Sequence, residues 1–287
     1  GVGLLWLAAR RALSRRAAFW GATAAVTYWP FVHFSATLYM ESFALAIQAG
    51  LLLALAAALR RLVRRRPAEP DAGQRPLPPP LFWAGALAGL ALLTRPTVAI
   101  TLPWVAALLF FAARRGGAGG WRAAAAPAVF AAMLLLTLLP NATRNYLVSG
   151  QWIWYSSNGA LNFYLSNNAE GISWQTRSPG REWRQFIDLA AIEGGVGEDR
   201  EARIEFWRQK SREYLRGHFP HFLANYYDKI LKVWNARAIH CTNNFEEIGR
   251  LSPVQRALPG FGFWGALALP GLLLAAVRLA RRAAAGG

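Results

Sequence analysis

The sequence predicts an all-α integral membrane protein: a multi-span helical bundle of about six spans plus a partial N-terminal one, with a mixed extracytoplasmic region. Three observations predict it. Apolar runs near the length of a bilayer core, roughly 30 Å, recur along the 287 residues. Arginine clusters fill alternate gaps between those runs, as expected where basic residues near helix ends are retained on the cytoplasmic side. Twelve of the fifteen acidic residues fall between Glu170 and Glu247, in one long polar stretch.

The elements follow in order. The opening run GVGLLWLAA is too short to span and reads as the last turns of a helix that begins upstream, so an N-terminal part is expected to precede Gly1. Arg10, Arg11, Arg15 and Arg16 form the first basic cluster. Spans are expected at about 17–38 and 42–59, joined by a hairpin at 39–41 and closed by Arg60, Arg61, Arg64, Arg65 and Arg66. The stretch PAEPDAGQRPLPPP over 67–80 has the Pro, Gly and charge of a flexible cytoplasmic linker. Runs at 81–94 and 97–113 meet at an Arg95-Pro96 turn, and Arg114, Arg115 and Arg122 flank the turn GGAGG. A fifth run covers 123–140 and a last one 260–278, which ends on Arg278, Arg281 and Arg282.

This threading puts every cluster on one side and divides the chain in three: a transmembrane module over 1–140, an extracytoplasmic region over 141–258, and a final helix with a cytoplasmic tail over 259–287. Within the middle part, 142–175 is rich in Asn, Ser, Tyr and Trp and is read as short strands or ordered loops. Residues 198–216 and 219–235 carry helical periodicity, with Ile204, Trp207, Tyr214 and Leu215 on one side of the first.

Composition excludes other classes. With 54% hydrophobic residues and a mean hydropathy of +0.20, the chain is neither an ordinary soluble enzyme nor a disordered one. The net charge of +17 belongs to residues flanking apolar runs, which orientation and anionic headgroups explain, so nucleic acid is not an expected partner. Cys241 stands alone, which rules out an intrachain disulfide and a thiolate metal cage. His240 beside it lacks further ligands at metal spacing.

Chemistry is expected where charge interrupts the apolar pattern on the side away from the clusters. Glu41 is the sole acidic residue in the first 66 positions, at the outer end of an uncharged hairpin. Such a group is usually tied to a partner, an ion or a substrate, although a helix starting at Ser42 would also favour a carboxylate there through its dipole. Arg95 sits before Pro96, which ends the helix. Its planar guanidinium suits a phosphate, since it can donate two parallel hydrogen bonds; snorkelling to outer headgroups is the alternative. Arg144, just after the fifth run, is placed on the same outer surface. Asn141-Ala142-Thr143 matches a glycosylation acceptor but lies too near the bilayer for use. Trp152, Trp154, Tyr155 and Tyr164 suit either stacking on sugar rings or an interfacial belt.

Several segments together resemble bacterial polytopic glycosyltransferases of the family-39 type, kin to the aminoarabinose lipid A transferase and the protein O-mannosyltransferases. YWPFVHFSATLYMESFALAI resembles their Pro-containing helix leading to a Thr-Asp or Thr-Glu pair, and GLALLTRPTVAITLP their Leu-Thr-Arg-Pro hairpin. LLPNATRNYLVSGQWIWYSSNGALNFYLSNNAEG is similar to a run carrying Arg-Asn-Tyr, Asn-Gly and Asn-Asn, and REYLRGHFPHFLANYYDKILKVW to a His-Pro break before a Lys-Trp helix. The chain departs from the pattern at Met40, Asn141, Ser166 and Phe219.

The resemblance implies a multi-pass enzyme of the bacterial inner membrane, with 141–258 periplasmic or extracellular. It would move a sugar from a polyprenyl-phosphate donor to a lipid, glycan or protein acceptor. One carboxylate would deprotonate or orient the acceptor, and cations would neutralise the departing lipid phosphate. The resemblance places the main catalytic carboxylate upstream of Gly1. Glu41 then supports catalysis, by orienting the acceptor or by holding a divalent metal ion; Arg95 and next Arg144 would bind the phosphate. Asn158, Asn162, Asn167 and Asn168 are candidates for bonding sugar hydroxyls, with loop structure as the alternative. A non-catalytic membrane scaffold and a transporter remain as other classes.

Overall fold

A computed structural model describes residues 1–36, 40–63, 76–168, 184, 188–197, 199–235 and 250–285. Most of the 67–80 linker and the His240-Cys241 pair lie outside these residues. The described residues are mostly helical, with no strand, so the fold is all-α and the short strands expected over 142–175 are not present in the described part of it. The helix that begins at Gly120 instead runs on to Ser149, where Gly150 takes a left-handed conformation at φ 71° and ends it; a non-helical loop over 150–158 follows, then a short helix over Gly159–Ser166.

The chain forms two compact units, Gly1–Ser156 and Ser157–Gly287. In the first, α1 (Val2–Ala12) and α2 (Arg15–Thr27) are separated by Ser14, whose side chain caps α2 by accepting from the Ala17 N–H. The span expected over 17–38 is broken. α2 ends at Tyr28, which is extended, and α3 (Trp29–Ala36) begins anew, because Pro30 lacks the N–H to continue and crowds the preceding turn. α4 (Glu41–Val63) and α5 (Pro79–Thr94) follow, α5 opened by prolines at its first positions. A 3₁₀ segment, Pro96–Thr101, runs directly into α6 (Leu102–Arg115), which carries Pro103 in its first turn. α7 (Gly120–Ser149) carries Pro127 and Pro140 without ending at either.

α5 lies at the centre of this unit, between α4 and α7. Leu81, Ala84, Ala88, Ala91 and Leu92 are buried against Ile47, Leu62, Phe130, Leu134 and Leu138. Small residues set the distance. A Cβ on Gly85 would stand 2.4 Å from the Phe130 carbonyl oxygen, and one on Gly89 would stand 2.8 Å from Thr137 Cβ, so the α5 and α7 backbones approach as only glycine permits. The opposite faces present Trp83, Ile100, Trp104, Leu136 and Leu147 outward.

Among the described residues, four helical stretches are long and apolar enough to cross a membrane: Glu41–Val63, Pro96–Arg115, Gly120–Ser149 and Phe261–Arg278. Pro79–Thr94 is apolar but shorter. The second unit comprises α8 (Gly159–Ser166), α9 (Leu189–Ile192), α10 (Arg200–Gly217), α11 (Phe219–Val233), α12 (Pro253–Ala257) and α13 (Phe261–Ala285). Its core is small: Tyr164 and Leu165 of α8 pack on Ala190 and on Trp207 of α10. Tyr164, expected at a sugar-stacking surface or in a belt, is instead a core residue, its ring 5.3 Å from that of Trp207.

Candidate functional site: an ion pair beside an apolar cavity

The two isolated charges of the first unit meet. α4 begins at Glu41, where the exposed N–H groups of a first turn favour a carboxylate. Ser42 ties that start to α3 by donating its hydroxyl to the Phe34 carbonyl at 2.7 Å. α5 ends at Thr94, whose hydroxyl turns back onto the Ala91 carbonyl at 2.9 Å. The next residue, Arg95, is extended at φ −142°, ψ 92°, as the residue before a proline must be. Its Nη2 donates to Glu41 Oε1 in an ion pair that joins positions 54 residues apart in sequence.

The pair is partly shielded, with the Arg95 side chain 45% exposed and that of Glu41 29%. It borders a cavity of 310 Å³ whose apolar walls are Tyr28, Pro30, Phe31, Phe34, Ala44 and Leu45, with Gln48 as a further polar group. Glu41 Oε2 is buried and has no hydrogen-bond partner among the described residues. Such an oxygen loses its hydration without compensation, so a donor brought to it would be bound favourably. The site therefore offers a cation for an anionic group, an acceptor for a hydroxyl or amine, and an aromatic wall for an apolar body.

The remaining site residues are placed differently. Arg144, in α7, is exposed and donates to the neighbouring Asn145 Oδ1 at 3.4 Å, apart from the Glu41–Arg95 pair. Asn141 and Asn145 lie one turn apart and donate to the Trp154 and Ile153 carbonyls at 3.1 and 2.8 Å, folding the chain back along α7. That return stacks Trp152 on Tyr146 at 4.8 Å and Trp154 on Trp152 at 6.2 Å, while Trp152 itself stays exposed.

The four candidate asparagines belong to the second unit. Asn158 precedes α8 as its N-cap residue without a side-chain capping bond, and Asn162 is exposed on that helix. Asn167 and Asn168 are buried and donate to the Phe163 and Tyr164 carbonyls at 3.0 and 2.9 Å. Lys229 of α11 bonds the Ser166 carbonyl at 2.5 Å and Asn167 Oδ1 at 2.8 Å. Burial holds its amine below the ordinary value; nearby Lys232 pushes the same way and Asp228 opposes. No cluster of His, Cys, Asp and Glu suited to a metal ion occurs among the described residues.

The aromatic wall has only a weak signature in the sequence, Phe31 and Phe34 of α3 following Tyr28 at three-residue intervals. Compared with known protein families, with curated proteins and with solved structures, the chain matches none.

Proposed function

We propose that the protein is a membrane glycosyltransferase of the bacterial inner membrane that moves a sugar from a polyprenyl-phosphate donor to a lipid, glycan or protein acceptor on the periplasmic face. The observation that carries this reading is the Glu41–Arg95 pair at the edge of an apolar, aromatic-walled cavity. A polyprenyl-phosphate sugar combines the three chemistries that the cavity offers. Arg95 would take the phosphate, Glu41 Oε2 a hydroxyl of sugar or acceptor, and Tyr28, Phe31 and Phe34 the start of the chain. The four long apolar helices support a multi-pass arrangement, with α5 and the Tyr28-broken α2–α3 as further, shorter spans. The arginine clusters set the cytoplasmic side. An amphiphile of this kind would reach Arg95 from the bilayer.

Transfer fits Glu41 as the group that orients the acceptor, and Arg95 as the group that stabilises the charge left on the departing phosphate. Purified full-length protein in proteoliposomes, given a radiolabelled polyprenyl-phosphate sugar and a lipid acceptor, tests this. Transfer that is lost in Arg95→Ala and partly kept in Arg95→Lys supports it; transfer unaffected by Arg95→Ala overturns the phosphate role.

A transporter is the second reading, and the same site favours it, since a charge pair between interrupted helices is what such proteins place at a substrate path. Net flux of a labelled lipid or sugar without covalent transfer would select it.

A further inference from the structure

We infer that α11 is an in-plane membrane helix, which lays its apolar face into the lipid headgroup region where α13 enters the bilayer. This rests on the membrane reading above. The helix has sharply opposed sides. Leu223, Tyr226, Tyr227, Ile230, Leu231 and Trp234 recur at helical spacing along one of them, and all six are exposed. A helix of a water-soluble domain turns such a face inward. Here the protein is met by the other flank. Asn225 and Lys229 bond the end of α8, and His221 Nδ1 lies 2.9 Å from the Tyr214 hydroxyl of α10. No residue of α11 is fully buried. The helix is held by its polar contacts and offers its apolar side outward, which is the arrangement expected if the surroundings on that side are themselves apolar.

The occupant is lipid rather than a second protein surface for two reasons. First, the apolar side carries Tyr226, Tyr227 and Trp234, whose rings have one apolar and one polar end and favour the headgroup level. Second, the face is continuous with an element that already requires a bilayer. Trp234, just past the end of α11, lies 6.4 Å from Phe261, which opens the apolar α13. A helix lying in the interface sinks its apolar face about 5–10 Å toward the acyl boundary. Its polar flank then carries Asp228 paired with Lys232 toward water.

Depth measurements on the full chain test this. Single cysteines at Leu223, Tyr227, Asp228 and Leu273, in a Cys241→Ser background, receive a fluorophore in lipid nanodiscs that contain phosphatidylcholine with a nitroxide high or low on its acyl chain. The expected result is quenching at Leu223 and Tyr227 by the shallow nitroxide, at least about twofold above that at Asp228, with Leu273 quenched by the deep one. Quenching at Leu273 with none above the Asp228 level at Leu223 and Tyr227 puts α11 in water and overturns the inference while the membrane reading stands. No quenching at Leu273 removes the membrane reading and the inference with it. Protection of Leu223 from both lipid and aqueous quenchers, with cross-links between copies at that position, assigns the face to a second copy and also overturns it.

Discussion

Replacing Gly85 by alanine adds one methyl group where α5 and α7 leave no room. Its Cβ would stand 2.4 Å from the Phe130 carbonyl oxygen and 2.7 Å from Met133 Cβ, and neither atom can rotate aside. The helices must separate by several tenths of an ångström or more, which loosens the buried row of Ala84, Ala88, Phe130 and Leu134. Overpacking of a rigid core costs about 1–3 kcal/mol, and backbone opposition puts Gly85→Ala toward the upper end. At about 2–3 kcal/mol, the unfolding equilibrium shifts roughly 30- to 160-fold toward the unfolded state. Gly21→Ala is the internal control, because nothing lies within 4 Å of its Cβ position in α2. The same chemical change there should stabilise by about 0.5–1 kcal/mol, since alanine loses less freedom than glycine in a helix. Denaturant titration of the purified protein in detergent, followed by circular dichroism, measures both. Equal or greater stability of Gly85→Ala relative to wild type would refute the close approach of α5 and α7.

Reporter fusions are expected to score cytoplasmic at Ala118 and periplasmic at Gly195; a periplasmic signal at Ala118 would reverse the orientation drawn from the arginine clusters. Glu41→Gln is expected to lower transfer by about 10²-fold or more if its carboxylate orients the acceptor, with folding preserved by circular dichroism; wild-type turnover would remove that role. Lys229 sits below its ordinary value of 10.5 in the folded state, so just below that pH the unfolded chain binds more protons. Its contribution to stability is therefore complete above 10.5 and lost as pH falls through the folded value. Hydrogen exchange of α8 amides should show protection rising with pH in that window for wild type relative to Lys229→Gln, and parallel profiles would contradict the burial of the amine.

The helical character was legible because apolar runs repeat at span length, and the α10 pattern was legible because Trp207 and Tyr214 recur on one face. Helix ends were harder. Pro30 interrupted a run that hydropathy alone joins, while Pro127 and Pro140 were absorbed inside α7, and only tertiary packing distinguishes the two cases. At the site, Glu41 and Arg95 stood out singly because each was a lone charge in apolar surroundings. Their pairing depends on α4 and α5 being neighbours, which no local pattern specifies. Asn167 and Asn168 bond carbonyls four residues back, a local pattern, whereas the Lys229 contact that fixes Asn167 joins positions 62 residues apart and emerges only with the fold.

The proposed role of Arg95 and its cavity is to receive a lipid phosphate. Binding of a short-chain polyprenyl phosphate to the purified protein in nanodiscs, followed by native mass spectrometry with the unphosphorylated polyprenol as control, tests it most directly. Glu41 competes for the Arg95 guanidinium, so Glu41→Gln should bind at least as tightly as wild type. Arg95→Ala should bind about tenfold or more weakly, as expected when a charge-assisted contact of about 1.5–3 kcal/mol is lost. Equal binding by Arg95→Ala and wild type, or equal binding of the phosphate and the free polyprenol, would contradict the claim.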